Sequence, residues 1–189
     1  MPVTSTLREV PTDEALEAFE NGAALVDLRP VDEYLVAHVR ESLSLAYERG
    51  PGFPSRARDC IPLDVSLILV DDSVGDLVHA AASLRGKGFD VLGFVARSEL
   101  GTGWPSASSD VLVGADQPEG FVLDVGDPGA TVSESSARIP IDRLWTRAGD
   151  LLREELVVIS AGAGVRAAMG VGILERAGIP NVSFWKTRA

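Results

Sequence analysis

The stretch VVISAGAGVRAAMG, residues 157–170, decides the fold. Its opening VVIS is a short branched apolar run of the kind that forms a buried strand. Gly162 and Gly164 then loosen the chain, and the residues after them resume helical spacing. A strand that breaks into a glycine loop and opens a helix points backbone N–H groups, and the positive end of the helix dipole, into that loop. Such a loop suits an anion and often carries a nucleophile at its mouth, yet Ser160 and Ala161 stand where one would be.

The same pattern occurs 90 residues earlier. LVDDSVGDLVHAAASLRGKGF, beginning at Leu69, lines up without a gap on ISAGAGVRAAMGVGILERAGI, beginning at Ile159. LVDL around Asp27 likewise matches VLDV around Asp124 at an offset of 97. Two copies of one unit is the economical reading, and it predicts a pseudo-symmetric pair of domains.

Around these anchors, apolar runs predict strands over residues 23–28, 67–70, 91–95, 121–125, 156–160 and 182–185. Helical spacing predicts helices over 12–21, 31–37, 76–85, 142–152 and 164–177, with Thr12 as the first N-cap and Gly178 closing the last. Strands alternating with helices predict an α/β fold of mainly parallel sheets flanked by helices. Gly, Ser, Pro and Asp crowd residues 100–120, which reads as a linker. The expected domains are 1–100 and an abbreviated 119–189, joined by 101–118.

Composition narrows the function. With 46% hydrophobic and 24% charged residues the chain is globular, and 17 Lys+Arg against 28 Asp+Glu leave a net charge of −11. That charge opposes a nucleic-acid partner or an anionic membrane surface. Neither a leader-like apolar segment nor a run long enough to span a bilayer is present, so the expectation is a soluble, cytoplasmic protein. A single cysteine, Cys60, and two histidines, His38 and His79, leave too few ligands for a structural zinc site. No metal and no cofactor is expected.

The first copy resembles the rhodanese family of sulfurtransferases. ALVDLRPVDEYLVAHVRESLSLAY carries an Asp-x-Arg strand end, an acidic-aromatic pair, then His and a small residue: Asp27, Arg29, Glu33, Tyr34, His38 and Ser42. Ala37 and Glu41 stand where the family has glycines. The second copy keeps Asp124, Ala137, Ile139 and Pro140, with Gly126 where Arg is usual. The resemblance implies tandem rhodanese-like domains over nearly the whole chain.

It also implies where the chemistry would be. The family's reactive loop reads Cys-x-x-Gly-x-Arg and opens a helix, its thiolate carrying sulfur as a persulfide. The matching residues in the second copy are Ala161, Gly162, Ala163, Gly164, Val165 and Arg166: Gly and Arg are kept and the cysteine is lost. In the first copy they are Asp71, Asp72, Ser73, Val74, Gly75 and Asp76, a degenerate loop whose three carboxylates repel an anion. Neither Ala nor Asp supplies a thiolate. The resemblance therefore implies no catalytic residue, an anion-binding second loop, and a binding, regulatory or scaffold role in sulfur metabolism. The partner would be a catalytic enzyme of sulfur metabolism or a second copy of this chain.

Three other readings compete. Cys60 could carry sulfur, although beside Ile61 near a strand start it reads as a half-buried structural thiol. Residues 162–167 fit G-x-G-x-x-A, but the carboxylate that a dinucleotide site needs further on is missing. LILVDDSVGDLVHAAASLRGKGFDVLGFV resembles a phosphoacceptor receiver, with Asp116 or Asp124 as acceptor, Ser160 as switch hydroxyl and Lys186 as the lysine. Asp71 and Asp72 would then hold Mg²⁺. His38 reads as a hydrogen-bonding corner residue, and His79 as an ordinary helix residue.

Overall fold

Two parallel sheets carry the chain. The computed structural model describes residues 7–101, 103–114, 118–126, 136–151, 156–160 and 165–187. Helix α1 (Thr12–Glu20) leads into strand β1 (Ala24–Asp27), followed by α2 (Val31–Val36) and the short strands β2 (His38–Val39) and β3 (Leu43–Ser44). Helix α3 (Gly52–Cys60), strand β4 (Leu67–Val70), helix α4 (Val74–Arg85) and strand β5 (Val91–Val95) complete the first half. The second half contains β6 (Ser106–Ala107), β7 (Val111–Gly114), β8 (Phe121–Asp124), β9 (Ala137–Arg138), α5 (Ile141–Arg147), β10 (Val157–Ser160), α6 (Val165–Arg176) and β11 (Val182–Thr187).

The first sheet runs β3-β1-β4-β5 and the second β7-β11-β10-β8-β9, every pairing within them parallel. Apart from the extra edge strand β7, the orders correspond: β9-β8-β10-β11 follows β3-β1-β4-β5. Strands β1, β4, β8 and β10 are buried at every position, as strands covered on both faces must be. (Phe121, at the start of β8, is the partial exception.) The expected fold class, α/β with mainly parallel sheets flanked by helices, is the one observed.

Several local expectations are corrected. Thr12 is not a cap: Pro11 precedes the helix and no side chain caps it, so Thr12 is simply the first helical residue. The stretch read as a linker contains two strands. β6 pairs antiparallel with β2, and β7 extends the second sheet along β11. Strands this short, taking their partners from distant segments, leave little periodicity to detect. Cys60 ends α3 instead of starting a strand, and it is fully buried among apolar residues. Helix α3 escaped the sequence reading because its GFPSRARDC begins with glycine and proline, which read as turn residues.

A continuous apolar core joins the halves. It contains Leu43, Leu69 and Leu77 from the first and Leu123, Ile159, Met169 and Leu174 from the second. Helix α6 lies against β3, and α3 against α5. The α6 contact is so close that a Cβ on Gly172 would sit 1.8 Å from the Ser42 carbonyl oxygen. Only glycine lets the helix backbone approach the strand that closely.

Candidate functional site

Each half has a central strand running into a loop that opens a helix, so the two loops are the first places to look. In the first half, β4 ends at Val70 and α4 begins at Val74. Asp71 Oδ1 accepts the backbone N–H of Asp72 at 2.7 Å and that of Ser73 at 3.1 Å. These are the donors that would otherwise face an incoming anion. Asp72 Oδ1 accepts the N–H of Ser98, fixing the 3₁₀ turn at Arg97–Glu99, and the Ser73 hydroxyl donates to Asp76 Oδ2 at 3.2 Å. The acidic loop thus spends its carboxylates on its own backbone and on a neighbouring turn. Among the described residues no cluster of His, Cys, Asp or Glu is arranged to hold a metal ion.

In the second loop, Ala161, Gly162, Ala163 and Gly164 lie outside the described residues. Val165 and Arg166 open α6.

The Asp-x-Arg element is structural. Asp27 ends β1, and its carboxylate accepts the backbone N–H of Arg29 at 3.0 Å. Arg29 donates from Nη2 at 2.6 Å and from Nε at 3.0 and 3.1 Å to the same carboxylate, then bonds the Ala37 carbonyl at 2.8 Å. Burial opposes the guanidinium charge. The hydrogen bonds and charge of Asp27, with Glu33 and Asp71 behind it, outweigh that and raise the Arg29 pKa above its ordinary value. The pair closes the turn from strand to α2.

Tyr34 and His38 form the corner beneath it. Their rings stack at 4.1 Å, the Tyr34 hydroxyl donates to the Ser42 carbonyl at 2.6 Å, and His38 Nδ1 bonds the Tyr34 carbonyl at 2.9 Å. His38 Nε2 meets the Glu175 carboxylate at 3.2 Å, and Glu175 also accepts the N–H of Glu41 at 2.7 Å. Burial, then the Glu175 charge, push the Tyr34 pKa well above its ordinary value. Glu175, on α6, is a buried acid that sequence reasoning missed. It occupies a position in ILER that reads as ordinary solvent-facing helix. His79 bonds the Gly75 carbonyl of its own helix, at 2.7 Å.

The geometry opposes the receiver reading. A receiver needs its acidic pair and acceptor in one sheet. Here Asp71 and Asp72 follow β4 of the first sheet, whereas Asp124 ends β8 of the second and pairs with Arg138 at 3.6 Å. Lys186 pairs with Asp32 at 2.5 Å, Ser160 is buried at the end of β10, and Asp116 lies outside the described residues. Cys60 is 3% exposed, sealed from any sulfur donor in solution.

Solved structures resemble this fold. A cysteine-to-serine variant of EanB in complex with hercynine aligns over 98% of this chain and 60% of its own, with 14% identity and a TM-score of 0.50. Wild-type EanB gives 98%, 59%, 14% and 0.50. A thiosulfate sulfurtransferase from Pseudomonas aeruginosa aligns over 92% of this chain and 40% of its own, with 19% identity and a TM-score of 0.39. No family model and no curated protein sequence matches the chain. The chain spans about 60% of the length of the EanB structures. At such identity the likeness concerns the fold, a mixed α/β architecture consistent with the rhodanese-like resemblance. No described helix is long and apolar enough to cross a membrane.

Proposed function

We propose that this chain is a tandem rhodanese-like protein that binds instead of transferring sulfur, acting as a regulatory or scaffold module in sulfur metabolism. One observation carries the reading. In the first loop the Asp71 carboxylate takes the N–H groups of Asp72 and Ser73 that a bound persulfide would use. A fixed internal anion therefore replaces the reactive one. The second loop, with Ala161 at the cysteine position and Gly162, Gly164 and Arg166 retained, would still hold a small anion weakly. The buried Cys60 supports the same conclusion, since a thiol without solvent access exchanges sulfur poorly. The partner would be a catalytic enzyme of sulfur metabolism or a second copy of the chain.

A thiosulfate:cyanide sulfurtransferase assay tests the reading. Thiocyanate formation is expected to stay at the no-protein level. Turnover that persists in Cys60→Ser would overturn the proposal, because no thiol would remain to explain it.

A further inference from the structure

A hollow of about 300 Å³ opens beside the carboxyl end of the first sheet, and none of residues 71–76 lines it. Its floor is Leu25 of β1 and Val70 of β4, on the sheet face that also carries α1, and Trp104 and Leu100 wall it. That volume falls at the low end of small-molecule sites, which are mostly apolar with a few placed polar groups.

The polar groups around this hollow are unevenly matched. Asp27 is neutralised by Arg29, and His38 is held between the Tyr34 carbonyl and Glu175. Arg97 is different: it is exposed at the edge and has no ion-pair partner among the described residues. Two further lining residues, Ser42 and Trp104, carry buried donors, the Ser42 hydroxyl and the Trp104 indole N–H, that have no hydrogen-bond partner among the described residues. An indole N–H can only donate, and a buried donor left without an acceptor is destabilising. The Arg97 cation at the edge, with unpartnered donors buried in the wall behind it, suits an acceptor-rich anion, and the apolar floor suits a hydrocarbon body.

We propose that this hollow binds a small organic carboxylate with an apolar or aromatic body, its carboxylate toward Arg97 and its body over Leu25 and Val70. The inference does not depend on the sulfur-metabolism reading. A bare inorganic anion such as thiosulfate would leave the apolar half unfilled.

The test is a titration of the ¹⁵N-labelled full chain with phenylacetate, followed at the indole N–H resonances and assigned with Trp104→Phe. The Trp104 resonance is expected to shift saturably while those of Trp145 and Trp185 stay in place. Uncharged phenylacetamide and thiosulfate should each bind about tenfold more weakly, and Arg97→Ala should lose about tenfold in phenylacetate affinity. Arg97 is exposed, so that variant keeps its fold. Absence of a Trp104 shift, equal affinity for the amide or for thiosulfate, or wild-type affinity in Arg97→Ala would each overturn the proposal. None of these outcomes bears on sulfurtransferase activity.

Discussion

Asp27 and Asp124 end corresponding strands in the two halves, and both carboxylates accept the backbone N–H two residues on, from Arg29 at 3.0 Å and Gly126 at 2.8 Å. They differ in where the neutralising cation comes from. In the first half Arg29 supplies it from the same turn, with three hydrogen bonds and side chains under a tenth exposed. In the second the turn holds glycine, and Arg138 approaches from β9, register-opposite Asp124, at 3.6 Å with its side chain 26% exposed. The fold thus needs a compensated acid at this strand end and accepts the compensation from either neighbour. This is a structural requirement of the strand end in both halves.

Removing each cation should break the symmetry most clearly. Arg29→Ala leaves Asp27 buried and uncompensated and is expected to cost about 3–5 kcal/mol. Arg138→Ala, at a longer pair whose arginine is part-exposed and whose acid keeps the Gly126 N–H, should cost less, about 1–2 kcal/mol. Urea unfolding midpoints measure both, and equal losses would mean that the two acids are held alike after all.

The paired helices offer the next contrast. Gly172→Ala drives a methyl into the Ser42 carbonyl and should cost about 3 kcal/mol by parting α6 from β3. Helix α4 carries the exposed Ala82 at the matching position, and Ala82→Gly there should cost about 1 kcal/mol, the helix-propensity difference. Thermal unfolding separates the two.

Tyr34 belongs to the corner that follows β1. Tyr34→Phe loses the bond to the Ser42 carbonyl, about 1 kcal/mol at neutral pH. The raised pKa adds a pH signature. Above pH ~10 the unfolded chain releases the phenolic proton while the folded chain keeps it, so wild-type stability falls as pH rises through the window above the unfolded pKa. The variant should lose stability less steeply there. Parallel alkaline slopes would show that Tyr34 titrates as it does in water.

The smallest effect is expected at Glu41, whose φ of 69° lies in the left-handed region where the family resemblance places glycine. Glu41→Gly relieves that strain and keeps the N–H that bonds Glu175. It should stabilise by about 0.5 kcal/mol once the added freedom of the unfolded chain is subtracted. A measured loss would show that the Glu41 side chain contributes more than its backbone strain removes.

The local content of this protein is legible in its sequence. The apolar runs at Leu67–Val70 and Val91–Val95 set their strands to the residue, and the glycines after α6 and α1 stop those helices where expected. That Asp71 and Ala161 carry no thiol is also a sequence fact, because it depends on residue type alone. Tertiary structure decided the rest. Nothing local marks Glu175 as buried beneath His38 and Glu41, or Gly172 as the point where a helix touches a strand, since both depend on contacts 130 or more residues apart. Strands of two residues such as β2, β6 and β9 exist only because a distant partner supplies their hydrogen bonds, and Asp71 turning inward to fill its own loop is likewise a geometry, not a composition. Periodicity records which face of a segment is apolar; it cannot record which neighbour that face will meet.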